Sequence, residues 1–335
     1  MIECSNLEVI PDRFYGGSTG SKICVSYNDR VWMLKMQQSL KQRVMRNVEI
    51  SYANDVISEY IGSHIYKLFD IPVHDTLLGL YQGRLCVLCS DDAYPKQLVE
   101  FKQFRNSIIS DKIVQSSTGM SRYLSDIFEV IYSSERIEPA STVTRFWIMF
   151  VLDALIGNTD RNNGNWAFTY EKDHFELYEV YDCGGCLNNK RSDEQMSKDL
   201  ANNFISNLAL NYTTSFRDEN GKRINPFKYI ERHNNEYIAN ALQLFKPEIL
   251  TSIFSLIDSL DELISETRKS WYKEILRIRF NKLLSFKNNI NSYKDAYLSK
   301  YNLSEEQFEA DIPRLMCILD AKDKNDLFTK LNELL

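Results

Sequence analysis

Residues 142–156, TVTRFWIMFVLDALI, are apolar on nearly every side when wound into a helix. A surface helix keeps one polar face, so a helix of this composition needs protein all around it. The chain must therefore build a sizeable body about one central element. Its 335 residues suffice for one large domain or two moderate ones. The longest unbroken apolar run, Phe146 to Leu152, stops at Asp153. That is far short of the ~20 residues a bilayer span requires, so no membrane segment is expected.

Composition narrows the class further. A hydrophobic share of 44% with 26% charged residues is globular rather than disordered, and 12 Gly with 7 Pro exclude collagen-like or low-complexity chains. Forty basic against 46 acidic side chains leave a net charge of −6, which argues against direct nucleic-acid binding. The opening residues MIECSNLEVIP have neither a basic region nor an apolar core, so no cleavable signal is expected. The expectation is a soluble, cytoplasmic protein, with export as an effector left open only by a route that needs no cleavable signal. Seven cysteines, two of them (Cys86, Cys89) in a strand-like run, fit reduced thiols rather than a disulfide framework. Cys183 and Cys186 form a CxxC, but zinc needs two further ligands and the four histidines are scattered without paired spacing.

The local patterns change along the chain. Lys22–Tyr27 and Val31–Met36 read as strands joined at Asn28-Asp29, a turn pair. Residues 51–69 read as a helix, with Val56, Tyr60, Ile61, Ile65 and Leu68 on one face and Ser51 as its cap. Val73–Tyr81 and Leu85–Cys89 form a second strand pair about Gln82-Gly83. Beyond residue 95 helices dominate: 121–133, 142–156, 247–257, 272–284, and a last one opened by Ser304 with Gln307 placed for a capping box. A hairpin, Trp166–Tyr170 with Phe175–Tyr181, interrupts them. In the last region Leu315, Ile318, Leu319 and Leu327 suggest packing on the helical body. Segregated strands and helices indicate an α+β fold in two lobes, residues 1–95 and 96–335.

Four features carry chemistry. The first is YGGSTGSK, residues 15–22, before a strand. Its glycines permit close backbone approach and its N–H groups can cradle phosphate, although such a turn alone is an ordinary hairpin connection. The second is Lys35. Strand alternation places it with Val31 and Met33, either as an edge residue reaching water or as an inward ammonium that needs a carboxylate partner. Glu59 on the following helix is the obvious partner. The third is NTDRNNGN, residues 158–165, where Asp160 and Asn165 stand five apart, as in the kinase catalytic loop. An Asp there accepts the proton of an attacking hydroxyl and an Asn oxygen binds a metal ion on nucleotide phosphates. The fourth is Tyr181-Asp182-Cys183-Gly184, a carboxylate at a strand end followed by Gly, as the second metal ligand of a kinase requires. Each has a bland reading as a turn or a solvated charge. Bland readings do not predict this order.

On these blocks, with SEYIGSHIYKLFDIPVHDTLLG, the chain resembles the HipA-like serine/threonine kinases, and among them the short CtkA-type kinases, over residues 10–300. The resemblance implies a bilobal protein-kinase-like fold, with a small β-rich N-lobe carrying one key helix and a larger helical C-lobe. It implies ATP between the lobes, its phosphates near Gly17, Ser18, Thr19, Gly20, Lys22 and Lys35, with Lys35 held by Glu59. The adenine is expected near Cys89 and Asp91, with Tyr181 also at the nucleotide site. Asn165 and Asp182 are implied as Mg²⁺ ligands and Asp160 as the catalytic residue. Autophosphorylation of the Gly-rich loop is implied too, at Ser18, then Thr19 or Ser21; a phosphoserine there cannot share a pocket with ATP phosphates. One departure stands out: Asn162 occupies a position where the family usually has His. Asn cannot titrate, and the expectation is that it orients the loop. The leading expectation is a Ser/Thr protein kinase acting on an unidentified protein, with an antitoxin or accessory protein as a further partner to consider. The alternatives are a pseudokinase serving as an interaction module and a lipid or small-molecule kinase.

Overall fold

The computed structural model describes residues 1–15, 22–40, 53–111, 122–172, 174–233, 235–301 and 304–318, with Leu327 and Lys330. Residues 16–21 of the Gly-rich loop, including the expected sites Gly17, Ser18, Thr19, Gly20 and Ser21, lie outside them, as do Ser51 and Leu319.

The N-terminal part is a sheet of six strands, β1 (Ile2–Glu3), β2 (Glu8–Val9), β3 (Lys22–Tyr27), β4 (Arg30–Met36), β5 (Thr76–Tyr81) and β6 (Arg84–Ser90), in the order β1-β5-β6-β4-β3-β2. Between β4 and β5 runs helix α1 (Asp55–Leu68). Both hairpin turns adopt left-handed backbone at the residues the sequence marks, Asn28 with Asp29 and Gln82 with Gly83. In β4, Trp32 and Leu34 pack with Cys4, Val25, Cys86 and Leu88 on the outer face, while Lys35 sits on the inner one. Lys22 lies directly opposite Lys35 in the β3–β4 register, so the two side chains share that inner face.

The remainder is mostly helical. A small sheet of β7 (Gln97–Glu100), β8 (Ala167–Glu171) and β9 (His174–Leu177) accompanies α2 (Phe101–Asp111), α3 (Leu124–Ser133) and α4 (Pro139–Ile156). Then follow α5 (Asp193–Ala201), α6 (Ile205–Leu210), α7 (Pro226–Arg232), α8 (Glu236–Gln243), α9 (Pro247–Asp258), α10 (Glu266–Tyr301) and α11 (Glu305–Ile318). As its composition demands, α4 is the buried centre: Phe146, Met149, Phe150, Leu152, Ala154 and Leu155 are all inside. It is long and apolar enough to cross a membrane, yet 67% of that stretch is buried within the fold. Pro139 opens it, Glu138 caps it through Ala140 N and Ser141 N, and Gly157 ends it in left-handed backbone.

Several boundaries differ from the sequence expectation. Helix α1 starts at Asp55, and the preceding Asn54 makes no side-chain cap bond. Residues 73–75 are not in β5; Val73 instead bridges Val180, and β9 correspondingly stops at Leu177. Helix α10 is 36 residues long, well beyond 272–284. The Ser304–Gln307 capping box is present in both directions, at 3.2 and 2.8 Å. Among the described residues Leu315 and Leu327 cluster with Phe308, Ile312 and Leu298 at the far end of α10, and Ile318 is exposed. Helix α1 shares the main core with α4, since Val56, Ile57, Ile61 and Ile65 belong to the same buried cluster as Phe150 and Ile156.

Candidate active site

Lys35 Nζ lies 2.8 Å from Glu59 Oε2 and 3.2 Å from Asp182 Oδ1, joining a strand, a helix and a loop that are far apart in the chain. Lys35 and Glu59 are almost fully buried, whereas Asp182 keeps about a third of its side chain exposed. Burial opposes charge on the Lys35 ammonium, and the two carboxylates outweigh it, holding the amine well above its ordinary range. Burial likewise pushes the Glu59 carboxyl up, and Lys35 with the His74 hydrogen bond reverses the sign, holding it well below the usual carboxylate range. Glu59 also accepts from Cys183 N at 2.7 Å and Gly184 N at 3.0 Å, so it fixes the loop that presents Asp182. Asp182 itself adopts left-handed backbone, φ 57°, which strains a non-glycine residue and turns its carboxylate toward the lysine.

The two glycines after it are the seam between halves of the site. A Cβ on Gly184 would stand 2.8 Å from Lys35 Nζ, and one on Gly185 2.9 Å from Asn158 Oδ1 and 3.0 Å from Asp160 Cβ. A Cβ at either position would push on the site's own side chains, and the Asp182 loop touches Lys35 on one side and Asp160 on the other. Asp160 and Asn165 are joined by Asn165 Nδ2 donating to Asp160 O at 2.7 Å. That bond uses the amide nitrogen and leaves Asn165 Oδ1 as the atom available to a cation. Asn162 Nδ2 donates to Asp160 O and to its Oδ1, at 3.0 and 3.2 Å, while Asn162 Oδ1 accepts from Gly164 N. Asn162 thus ties the Asp160 carbonyl and carboxylate to the Gly164 N–H. Asn165 Oδ1 and the Asp182 carboxylate are hard oxygen donors of the kind Mg²⁺ takes, so the residues present fit that ion.

Cys89 is buried on the inner face of β6, across from Met33. Asp91 is bound bidentately by Arg13 (2.7 and 2.9 Å) and accepts from Tyr15 OH at 2.9 Å, and its N–H donates to Val31 O. Its side chain therefore braces the segment entering the Gly-rich loop. Tyr181 OH donates to Gly164 O at 3.2 Å, so its tip faces the catalytic loop.

Several residues of this site escaped the sequence reading. Arg161 is fully buried; its Nε donates to Asp153 Oδ2 at 2.8 Å and its Nη1 to the carbonyls of Asn165 (2.6 Å) and Tyr181. It ties together the backbones of both candidate metal-ligand segments. Asp153 also accepts from Tyr66 OH and Asn158 Nδ2, and Asn158 Oδ1 accepts from Asp160 N at 3.1 Å. A charged Asp inside a helix apolar all round was the available signal, because a buried carboxylate must be paired. His74, against Glu59, carried no such sign. The CxxC pair is buried, with Cys186 Sγ donating to Ser58 O. Among the described residues the grouping of metal-capable side chains is Glu59, His74 and Cys89, which leaves out the CxxC.

No family model matches the chain. A curated relative, the serine/threonine-protein kinase CtkA of Helicobacter pylori, is 32% identical over 289 residues, 84% of this chain and 86% of the relative. The crystal structure of a Helicobacter pylori proinflammatory kinase CtkA matches with a TM-score of 0.76 at 29% identity, covering 85% of this chain and 98% of that one. HipA of Shewanella oneidensis, solved with HipB and operator DNA, matches at a TM-score of 0.50 and 14% identity, over 85% of this chain and 70% of its own, a likeness of fold. With the lobes, the buried lysine pair and the Asp–Asn loop already in place, the chain belongs to the family of CtkA-type serine/threonine protein kinases.

Proposed function

We propose that this kinase uses ATP with Mg²⁺, transferring the γ-phosphoryl group to Ser or Thr hydroxyls of a protein, in a cleft between lobes 1–95 and 96–335. The observation that carries the proposal is Lys35 Nζ held between Glu59 and Asp182, at 2.8 and 3.2 Å. Lys35 then contacts the α- and β-phosphates, with Lys22 beside it on the same sheet face, and the adenine lies along Cys89–Asp91. Asn165 and Asp182 hold Mg²⁺, which when bound neutralises charge on the transferring group. Asp160 orients the acceptor hydroxyl and takes its proton, and Asn162 keeps the Asp160 carboxylate aimed. Burial of the lysine pair excludes water from the phosphate end, where electrostatic contacts are strongest.

Replacing Asp160 by Asn is expected to abolish phosphoryl transfer while nucleotide binding and melting temperature stay unchanged. Transfer at the wild-type rate would remove Asp160 from its role. The same assay with labelled ATP, followed by phosphosite mapping, tests self-labelling at Ser18, Thr19 or Ser21. The intact set of Lys35, Glu59, Asp160, Asn165 and Asp182 argues against a pseudokinase, and an acceptor screen including lipid vesicles separates a protein kinase from a lipid kinase. HipA, a neighbour in fold, was solved with HipB, and an antitoxin-type partner here is tested by co-purification.

A further inference from the structure

Four donors converge on the Glu59 carboxylate. Lys35 Nζ and Gly184 N reach Oε2 at 2.8 and 3.0 Å; Cys183 N and His74 Nε2 reach Oε1 at 2.7 and 3.2 Å. A carboxylate only accepts, so a hydrogen bond across the His74 contact needs the imidazole proton on Nε2. Ser63 Oγ lies 3.1 Å from the same nitrogen, and toward a protonated Nε2 its hydroxyl oxygen can only accept. His74 is itself 2% exposed. Its backbone N–H donates to Val180 O at 3.0 Å, and Val180 N donates to Pro72 O. His74 is thus stitched to the segment that leads into Asp182 while its ring lies against the carboxylate on α1.

Glu59 has about four lone-pair positions and all four have donors. Removing His74 leaves Oε1 of a buried carboxylate with Cys183 N as its one donor, and the carboxylate then rotates toward the donors that remain and takes Lys35 with it. The same saturation disposes of a metal reading for Glu59, His74 and Cys89, whose ligand atoms lie within 4.8 Å of one another. The carboxylate has no lone pair left for an ion.

We propose that His74 is a positioning residue of the kinase: its Nε2–H fixes Glu59 so that Lys35 is held at the phosphate end of the cleft. The proposal rests on the reading of Lys35 as the phosphate-contacting residue.

The experiment compares wild type, His74→Leu and His74→Gln, with kcat measured apart from the nucleotide dissociation constant. His74→Leu is expected to lower kcat about tenfold to a hundredfold, the worth of one hydrogen bond to a buried charge, with a smaller loss of nucleotide affinity. His74→Gln, whose amide nitrogen can reach the place of Nε2, recovers most of that loss. In a Lys35→Met background His74→Leu adds nothing. Nitrogen-15 NMR of the wild-type imidazole gives a readout free of activity: a protonated Nε2 whose resonance moves in Glu59→Gln. Wild-type kcat in His74→Leu, equal losses in the Leu and Gln variants, or an unprotonated Nε2 would overturn the proposal. Should His74→Leu fail to fold, the Gln variant and the NMR signal decide. A wild-type protein that phosphorylates nothing sinks the kinase reading instead, and the NMR arm still judges the His74–Glu59 bond.

Discussion

Arg161 shows how much of a phosphoryl-transfer site can depend on a side chain that touches no substrate. One guanidinium serves the Asp153 carboxylate and the carbonyls of Asn165 and Tyr181. Lysine has one nitrogen on a flexible stem and cannot span three acceptors in a plane. Arg161→Lys is therefore expected to destabilise the fold by about 3–5 kcal/mol, the cost of breaking a buried pair. At temperatures where it remains folded, it should lower kcat by about 10²-fold through displacement of both loops. Urea unfolding and initial rates check the two effects separately. Glu59 supplies a pH prediction at the same scale. Its carboxyl is held well below the ordinary range in the folded protein, so it binds its proton more readily when unfolded. The stability it contributes is complete above the unfolded carboxyl range and is lost as pH falls from there toward the folded value. Asp55, pushed up chiefly by burial, titrates in the opposite sense and blunts the loss. Glu59→Gln should flatten the acid limb of a stability–pH curve measured by urea denaturation; an unchanged slope would detach Glu59 from acid unfolding.

Helix α1 is fastened to the Asp182 loop along its length. Glu59 takes two N–H groups from that loop, Ser58 Oγ donates to Cys186 O, Cys186 Sγ donates back to Ser58 O, and Asn54 N donates to Asn189 O. Gly62 makes the close approach possible, because a Cβ there would stand 2.6 Å from Cys183 Cβ and 3.3 Å from Cys186 Sγ. In an open helix Gly→Ala stabilises by about 1 kcal/mol. Here the clash reverses the sign: Gly62→Ala is expected to cost about 1–3 kcal/mol and to lower activity by prying α1 off the loop, as read by thermal melts and kcat. A stabilised, fully active variant would mean the helix has room to move. The sequence announced α1, its apolar face and Glu59, because a period of three to four residues is a local property. It also grouped Lys35 with Val31 and Met33, since strand alternation fixes which residues share a face, but left open whether that face looks inward or to water. It could not announce the partners of Gly62, or the bond from Arg13 to Asp91, because those contacts join residues scores of positions apart and carry no periodicity. Strands β1 and β2 were illegible for a different reason: at two residues each they are too short to show alternation.

For the whole molecule, the shared core of α1 and α4 means that the inner layer of the N-terminal part is continuous with the helical body, while the outer face of the six-stranded sheet has its own small cluster. All seven cysteines are free thiols, and their placement reports on this partition. Cys4 and Cys86 belong to the outer cluster; Cys89, Cys183 and Cys186 lie in the shared core behind the lysine pair; Cys317 on α11 is exposed. Burial pushes the Cys86 thiol up to about 12 and raises Cys4, Cys89, Cys183 and Cys186 as well, so none of them is a ready nucleophile. A thiol-alkylating reagent applied to the native protein at neutral pH is expected to modify Cys317 quickly and the core thiols only as fast as the fold opens. Peptide mapping over a time course should therefore show Cys89, Cys183 and Cys186 labelled together, at one rate that Mg²⁺ with nucleotide slows. Cys4 and Cys86 should follow a separate rate that nucleotide leaves nearly unchanged, because their cluster faces away from the cleft. Rapid alkylation of Cys183 in the native state would contradict the continuous core, since that thiol cannot be reached without lifting α1 from the loop that carries Asp182.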